Sequence, residues 1–305
     1  MSRWIFLLIL ALTFVAGPSS ADEAADLEQV VTSGSAKEQY TLGVRYIRGK
    51  GVDKDLAIAE KLLRAAAGQD HILAMTNLGI VIQHRTTARK EFVEATKWFR
   101  AAAEKGMAGG QYHLGQSYQH DKGVPRNYAS AAEWYGKAAA QELPKAINAL
   151  ALLYRNGLGV EMDFAKAQEL YRQAAKKGYS KAQYNLAIMT LKTAVTQSEY
   201  LTAAKLLQAA AVRNHRAAQY QLAKMYEQGE GVPWDHSRAW MWMKISADNG
   251  FKRAKAGLPV LVDKMGADEL KLGEELLRDY KVKQKKKKSR KSSLDYGMKA
   301  LTAPA

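Results

Sequence analysis

Hydrophobic positions recur along this chain with a fixed long period and, within each period, with helical spacing. The segment His215 to Gly250, HRAAQYQLAKMYEQGEGVPWDHSRAWMWMKISADNG, sets the pattern. Steps of 36 residues back from His215 land on Tyr179, Leu143, Met107, His71 and Ser35, and one step forward lands on Phe251, where a decayed copy begins. A fixed period of this size means a stacked array, because one short unit cannot bury its apolar face alone. The eighth residue of each unit is Leu42, Leu78, Leu114, Leu150, Leu186, Leu222 and Leu258. The ninth is small (Gly43, Gly79, Gly115, Ala151, Ala187, Ala223), and the twelfth is mostly aromatic (Tyr46, Ile82, Tyr118, Tyr154, Thr190, Tyr226). Large residues at i and i+4 beside a small one give one helix face that a neighbouring backbone can approach closely.

A turn follows. It reads Gly-x-Gly-Val at Gly49 to Val52, Gly157 to Val160 and Gly229 to Val232, and is reduced to Gly123-Val124 in the third unit. Glycine ends a helix cheaply because a positive φ costs it nothing. Gly49-Lys50-Gly51 lacks Walker spacing and a preceding strand, so it reads as a turn and not as a phosphate loop. A second helix then opens on Asp55, Glu91, Asn127, Asp163, Glu199 and Asp235. Asp and Asn suit an N-cap and Glu suits the first turn, where it meets the helix dipole. Behind this column come Ala59, Ala95, Ala131, Ala167, Ala203 and Ala239, then a bulky pair such as Trp98-Phe99, Trp134-Tyr135 or Trp242-Met243, then Ala-Ala. Small residues at close approach, with large ones between, are what a stacked helical hairpin requires.

These columns resemble the Sel1-like repeat family, relatives of the tetratricopeptide solenoids. The resemblance rests on the Ala-x-Gln-Tyr-x-Leu-Ala starts (Ala182 to Ala187, Ala218 to Ala223) and the Tyr-x-x-Gly-x-Gly-Val turns (Tyr154 to Val160, Tyr226 to Val232). It rests also on the Ala-x-x-Trp/Leu-Tyr-x-x-Ala-Ala helices (Ala131 to Ala139, Ala167 to Ala175) and covers about residues 35–280. It implies an all-α, right-handed α-solenoid of antiparallel helix pairs with a C-terminal capping helix. The units are 35–70, 71–106, 107–142, 143–178, 179–214 and 215–250, with a partial capping unit at 251–280. Units two and five depart from it: Arg85 to Ala88 and Thr193 to Thr196 lack the turn glycines, so their loops are expected to differ in shape. Residues 22–34 read as a leader or partial N-terminal cap.

Charge changes the picture at the ends. The chain has 305 residues, no cysteine and a formal charge of +16. Lys281, Lys283, Lys285, Lys286, Lys287, Lys288, Arg290 and Lys291 supply half of that charge with no acid among them. The run has no apolar period, so residues 281–305 are expected to form a disordered tail. It could be inert, or a tether to an anionic membrane or cell-wall polymer. No aromatic residues interleave it, which disfavours nucleic acid; a nuclear address conflicts with export. At the other end, Arg3, the apolar run Trp4 to Ala16 and Gly17-Pro18-Ser19-Ser20-Ala21 read as a signal peptide, residues 1–21. As a retained anchor the run is short: thirteen helical residues rise only about 20 Å against a core of roughly 30 Å. Export of a chain without cysteine points to a bacterial periplasm, or alternatively to the outside; lipoprotein anchoring is excluded.

Chemistry is scarce. The histidines (His71, His84, His113, His120, His215, His236) have no paired ligand spacing and are expected at the surface or in turns rather than on a metal. There is no nucleophile elbow, paired-carboxylate signature or dinucleotide fingerprint, so neither catalytic residues nor a cofactor is expected. The resemblance instead implies an adaptor that binds protein or peptide in a groove lined by the first helices. Its residues would be Tyr40, Tyr112, Asn148, Tyr184 and Tyr220, with Gln83, Gln116, Gln119, Arg155, Lys224 and Glu227 farther along. The competing view is that the tyrosines fill inter-helix space with only their hydroxyls wet.

Overall fold

A computed structural model describes residues 20–85 and 87–301, with side chains from Asp26 to Lys286. The proposed signal segment therefore lies almost wholly outside the described residues. Fifteen helices and no strands occur among those described. α1 (Ser20–Ser33) precedes the first repeat. The repeats then contribute α2 (Ala36–Arg48) and α3 (Leu56–Gly68), α4 (Ile72–Arg85) and α5 (Arg89–Glu104), and α6 (Ala108–His120) and α7 (Tyr128–Ala140). There follow α8 (Pro144–Asn156) and α9 (Phe164–Lys176), α10 (Ser180–Thr193) and α11 (Gln197–Ala211), and α12 (Arg216–Gln228) and α13 (His236–Asp248). α14 (Lys252–Val262) and α15 (Ala267–Leu301) close the chain.

The helices form two compact units that divide between Arg126 and Asn127. Within each unit, consecutive helices pack as antiparallel pairs and each pair stacks on the next: α2 to α6 in the first, α7 to α15 in the second. The chain is thus an all-α solenoid of helical hairpins.

The columns explain the stacking. Ala59, Ala95, Ala131, Ala167, Ala203 and Ala239 are each 0% exposed, so no larger side chain fits there. Leu62, Leu63, Phe99, Tyr135, Tyr171, Leu207 and Met243 fill the space between them. The second helices begin as their sequence requires: Asp55, Asn127, Asp163 and Asp235 are N-caps whose carboxylate or amide oxygens accept first-turn amides. One column lacked a role in the sequence. Gln39, Gln111, Gln183 and Gln219, fifth in their units, are buried, and their amides donate to carbonyls closing the preceding helix. Gln111 reaches Ala103 at 3.3 Å, Gln183 reaches Ala175 at 3.2 Å and Gln219 reaches Ala211 at 3.0 Å. Each of these carbonyls also accepts the backbone amide that closes its helix, so the buried glutamine adds a second bond and ties the start of one repeat to the end of the one before.

The turn glycines do more than end a helix. A Cβ on Gly159 (φ +70°) would lie 2.2 Å from the Tyr128 carbonyl carbon, and one on Gly231 2.2 Å from that of Tyr200. Each turn therefore seats on the backbone that opens the previous repeat's second helix. Repeats two and five have no such seat. There the first helix ends at Arg85 or Thr193, and the second begins at Arg89 or Gln197, three register positions earlier than in the other repeats. Glu91 and Glu199 thereby become third helical residues rather than caps, and Thr196 with Glu199 forms a capping box.

The ends are covered differently. α1 packs on α2 and α3 as the second helix of an otherwise missing repeat, with Val30 and Val31 carbonyls held by Gln39. At the far end α15 lies across α13. Gly273 meets the Trp240 ring, the Ser237 hydroxyl donates to the Glu269 carbonyl at 2.7 Å, and Tyr280 packs edge-on against Trp242 at 5.2 Å. This is the expected cap. Beyond Tyr280, α15 runs on as helix to Leu301. Lys, Gln and Arg are good helix formers, and extending a helix already nucleated by packing is easier than starting one.

Candidate functional site

The sequence-derived groove residues fall on both units. Tyr40, Gln83, Tyr112, Gln116 and Gln119 belong to the first; Asn148, Arg155, Tyr184, Tyr220, Lys224 and Glu227 belong to the second. All eleven are half-buried. Their spacing explains this: residues six, ten and thirteen of a unit lie on one face of the first helix, beside the mostly buried stripe at positions five, eight and nine.

In the first unit the Tyr40 ring stacks on His71 of the next repeat (centroids 4.5 Å apart, planes 24° apart), and its hydroxyl accepts from Asn77 Nδ2 at 3.5 Å. Tyr112 meets the edge of His113, which itself stacks on Phe99 at 4.9 Å. In the second unit Tyr184 stacks on His215 at 4.7 Å and Tyr220 tilts against Phe251 at 5.4 Å. Asn185 Nδ2 donates to Asn148 Oδ1 at 3.0 Å. In Tyr40, Tyr184 and Tyr220 the sixth residue of one repeat thus rests on the first residue of the next. These tyrosines are partly structural: each ring packs against a neighbouring ring, and each side chain stays partly accessible. Burial raises the pKa of Tyr184 above the ordinary phenol value, against an opposing charge from Arg253.

Lys224 and Glu227 do not stand free. Lys224 Nζ lies 2.6 Å from Glu227, and Lys264 lies 2.8 Å from its other oxygen. Burial opposes ionisation of Glu227, but bonds from Lys224 and Lys264 hold its carboxyl below the usual range. Arg155 donates to the neighbouring Asn156 side chain at 3.4 Å.

His84 and His120 are exposed and His71 and His215 lie in turns between repeats, as expected; all but His84 and His120 are half-buried, and His113 and His236 pack within helices. Nδ1 of His71 accepts from the Ala74 amide, and Nδ1 of His215 from the Ala218 amide, each at 3.2 Å. Both therefore cap first helices, each ring nitrogen acting as acceptor. Burial, reinforced by Lys181, pushes His215 below the ordinary imidazole value. The signal for this was available, because His71 and His215 sit at the first position of their units, next to the N-terminus of a helix.

Of the basic run, Lys281, Lys283, Lys285 and Lys286 are exposed on α15; Lys287, Lys288, Arg290 and Lys291 lie outside the described side chains. No group of three acidic or histidine side chains among the described residues could hold a metal ion.

A family model described as Sel1 repeat matches six consecutive segments: 39–71, 72–107, 108–143, 144–179, 180–215 and 216–251. The chain belongs to the Sel1 repeat family. Among solved structures, a Sel1 repeat protein from Oxalobacter formigenes is 28% identical, with a TM-score of 0.69 over 80% of this chain and 70% of that one. The protein c5321, a protective antigen present in uropathogenic Escherichia coli strains, is 29% identical, with a TM-score of 0.40 over 86% of this chain and 64% of its own. A putative Sel1 repeat protein from Klebsiella pneumoniae is 19% identical, also with a TM-score of 0.40, over 78% of this chain and 98% of its own. No curated protein matches. Sel1 repeat proteins generally mediate protein–protein interaction, and their solenoid is typically a non-catalytic scaffold.

Proposed function

We propose that this Sel1 repeat protein is an exported scaffold that holds a protein or peptide partner on the faces of its first helices, in the bacterial envelope or at contact with a host. The observation that carries this reading is the half-buried state of Tyr40, Tyr112, Tyr184 and Tyr220. A neighbouring ring packs against each of them, stacked on Tyr40 and Tyr184, edge-on at Tyr112 and tilted at Tyr220, so little side-chain entropy is left to lose on binding, while part of each side chain stays accessible. Tyrosines held this way, flanked by Asn and Gln, have the composition of a recognition surface. Export is supported by the Arg3, Trp4–Ala16 and Gly17–Ala21 sequence alone. Crosslinking within the periplasm of intact cells tests the reading. Capture of a protein that is weakened by Tyr184→Ala and Tyr220→Ala supports it; capture unchanged by both variants refutes it.

A second reading draws on α15, whose exposed Lys281, Lys283, Lys285 and Lys286 continue past the packed cap. A polybasic helix of this kind suits attachment to an anionic bilayer or wall polymer, at about 1 kcal/mol per cation near a lipid surface. Retention that collapses with rising salt, and with glutamine at these lysines, would favour it over the scaffold.

A further inference from the structure

The openings of the first helices differ in charge between the two units. Segments 143–149, 179–185, 215–221 and 251–257 of the second unit contain Lys145, Lys181, Arg216, Lys252, Arg253 and Lys255 and no acid. The corresponding segments of the first unit, 35–41, 71–77 and 107–113, contain only Lys37 and Glu38. All six second-unit cations are exposed, and none enters an ion pair among the described residues. The ion pairs around them use other groups: Lys177 with Glu142, Lys244 with Asp248, Lys264 with Glu227. Helix stability does not account for them. A cation in the first turn opposes the helix dipole, where an acid would help; Glu38 in α2 and Glu199 in α11 show the stabilising choice.

Their positions tie them to the aromatic ladder. Lys181 precedes Tyr184 by three residues and Arg216 precedes Tyr220 by four, so each shares its ring's face. Arg253 is near enough to act on Tyr184, and Lys181 on His215. Asn148 and Asn185 bridge neighbouring first helices within this row.

We infer that the first-helix face of the second unit binds an acidic segment of a partner protein, with Lys181, Arg216 and Arg253 pairing its carboxylates and Tyr184 and Tyr220 as the shelf beneath. This rests on the reading of the first-helix face as the partner surface and names the partner's chemistry. Neighbouring packed helices lie about 8–10 Å apart, and an extended chain advances about 3.3 Å per residue. One carboxylate in every third residue therefore matches one cation per repeat.

The probes are a fluorescein-labelled peptide of four Glu-Ala-Ser triplets and its Gln-Ala-Ser counterpart, titrated by anisotropy against the full chain at low salt. The acidic peptide is expected to bind at least about tenfold more tightly than the amide peptide, an advantage that shrinks as salt screens the charges. The double variant Lys181→Gln, Arg253→Gln, with unchanged helical circular dichroism, should remove that advantage. Glutamine at all eight cations of the 281–291 run should leave it within about twofold. Equal binding of both peptides that depends on Tyr184 and Tyr220 overturns the acidic preference while the partner surface stands. Loss that follows the 281–291 variant and not the double variant assigns the binding to α15 and overturns the inference. Binding of phosphatidylglycerol vesicles that is sensitive to the double variant, with no peptide bound, replaces the protein partner by a lipid surface. If neither peptide binds, the inference fails, and the crosslinking test above then decides separately whether the surface reading survives.

Discussion

Repeats two and five span the same 36 residues as their neighbours yet divide them differently. In repeats four and six a left-handed glycine ends the first helix, and a second glycine seats the turn on the backbone of the previous repeat. In repeats two and five the seat is gone and the second helix starts earlier. At the position of Gly159 and Gly231, repeat five carries Val195, which is 86% exposed and touches little. Inter-repeat contact at this edge is therefore optional, whereas the alanine columns within the core are not. The solenoid is held by its helix faces, and a turn is tight only where it is used as a wedge.

The largest break in this comparison should come from Gly159→Val. It imposes both a left-handed branched residue and a backbone clash, and should cost about 3 kcal/mol from conformational and overpacking terms. A shifted urea midpoint, or loss of the folded state, would register it; unchanged stability would show that the turn is not seated on Tyr128. Next in size is the effect of pH. His215 caps α12 while neutral, and its folded pKa is lowered chiefly by burial. Its contribution is therefore fully present above about pH 6.5 and lost as the pH falls through the lower folded value. His215→Asn keeps a capping oxygen without the titration, so its denaturation midpoint should vary less between pH 7.5 and pH 5. Thr196→Ala removes one half of the capping box of α11 and should cost about 1 kcal/mol.

A smaller gain sharpens the same contrast. Repeat two has Glu91 as third helical residue but Ala88 at the cap, with no side-chain bond. Ala88→Thr should complete the box and stabilise by roughly 0.5–1 kcal/mol, read as a rise in midpoint. Smallest of all, Val195→Gly should stay within about 0.5 kcal/mol, because nothing packs on that side chain.

Much of the fold was legible in the sequence because stacking needs particular sizes at particular columns. Leu222, Ala223, Asp235 and Ala239 could be assigned from spacing, and each holds its assigned place. What escaped were roles set by a neighbouring repeat. Gln219 reads as a polar residue on a helix until the Ala211 carbonyl is seen eight residues back. His215 reads as a surface or turn imidazole, and its contact with Tyr184 of the preceding repeat shows only in the structure. The groove tyrosines were found by column, but their double service was not, since a single sequence does not tell a ring that packs from a ring that waits for a partner.

The equal length of the two kinds of repeat has a consequence for how such a chain can change. When the turn shortens, the helices take up the freed residues, so the phase of every following column is untouched. A whole repeat can then be duplicated, excised or exchanged for one of the other kind, and the next alanine still arrives opposite the previous leucine. The number of repeats, and with it the length of the surface offered to other molecules, becomes a property that recombination can adjust without renegotiating the interior.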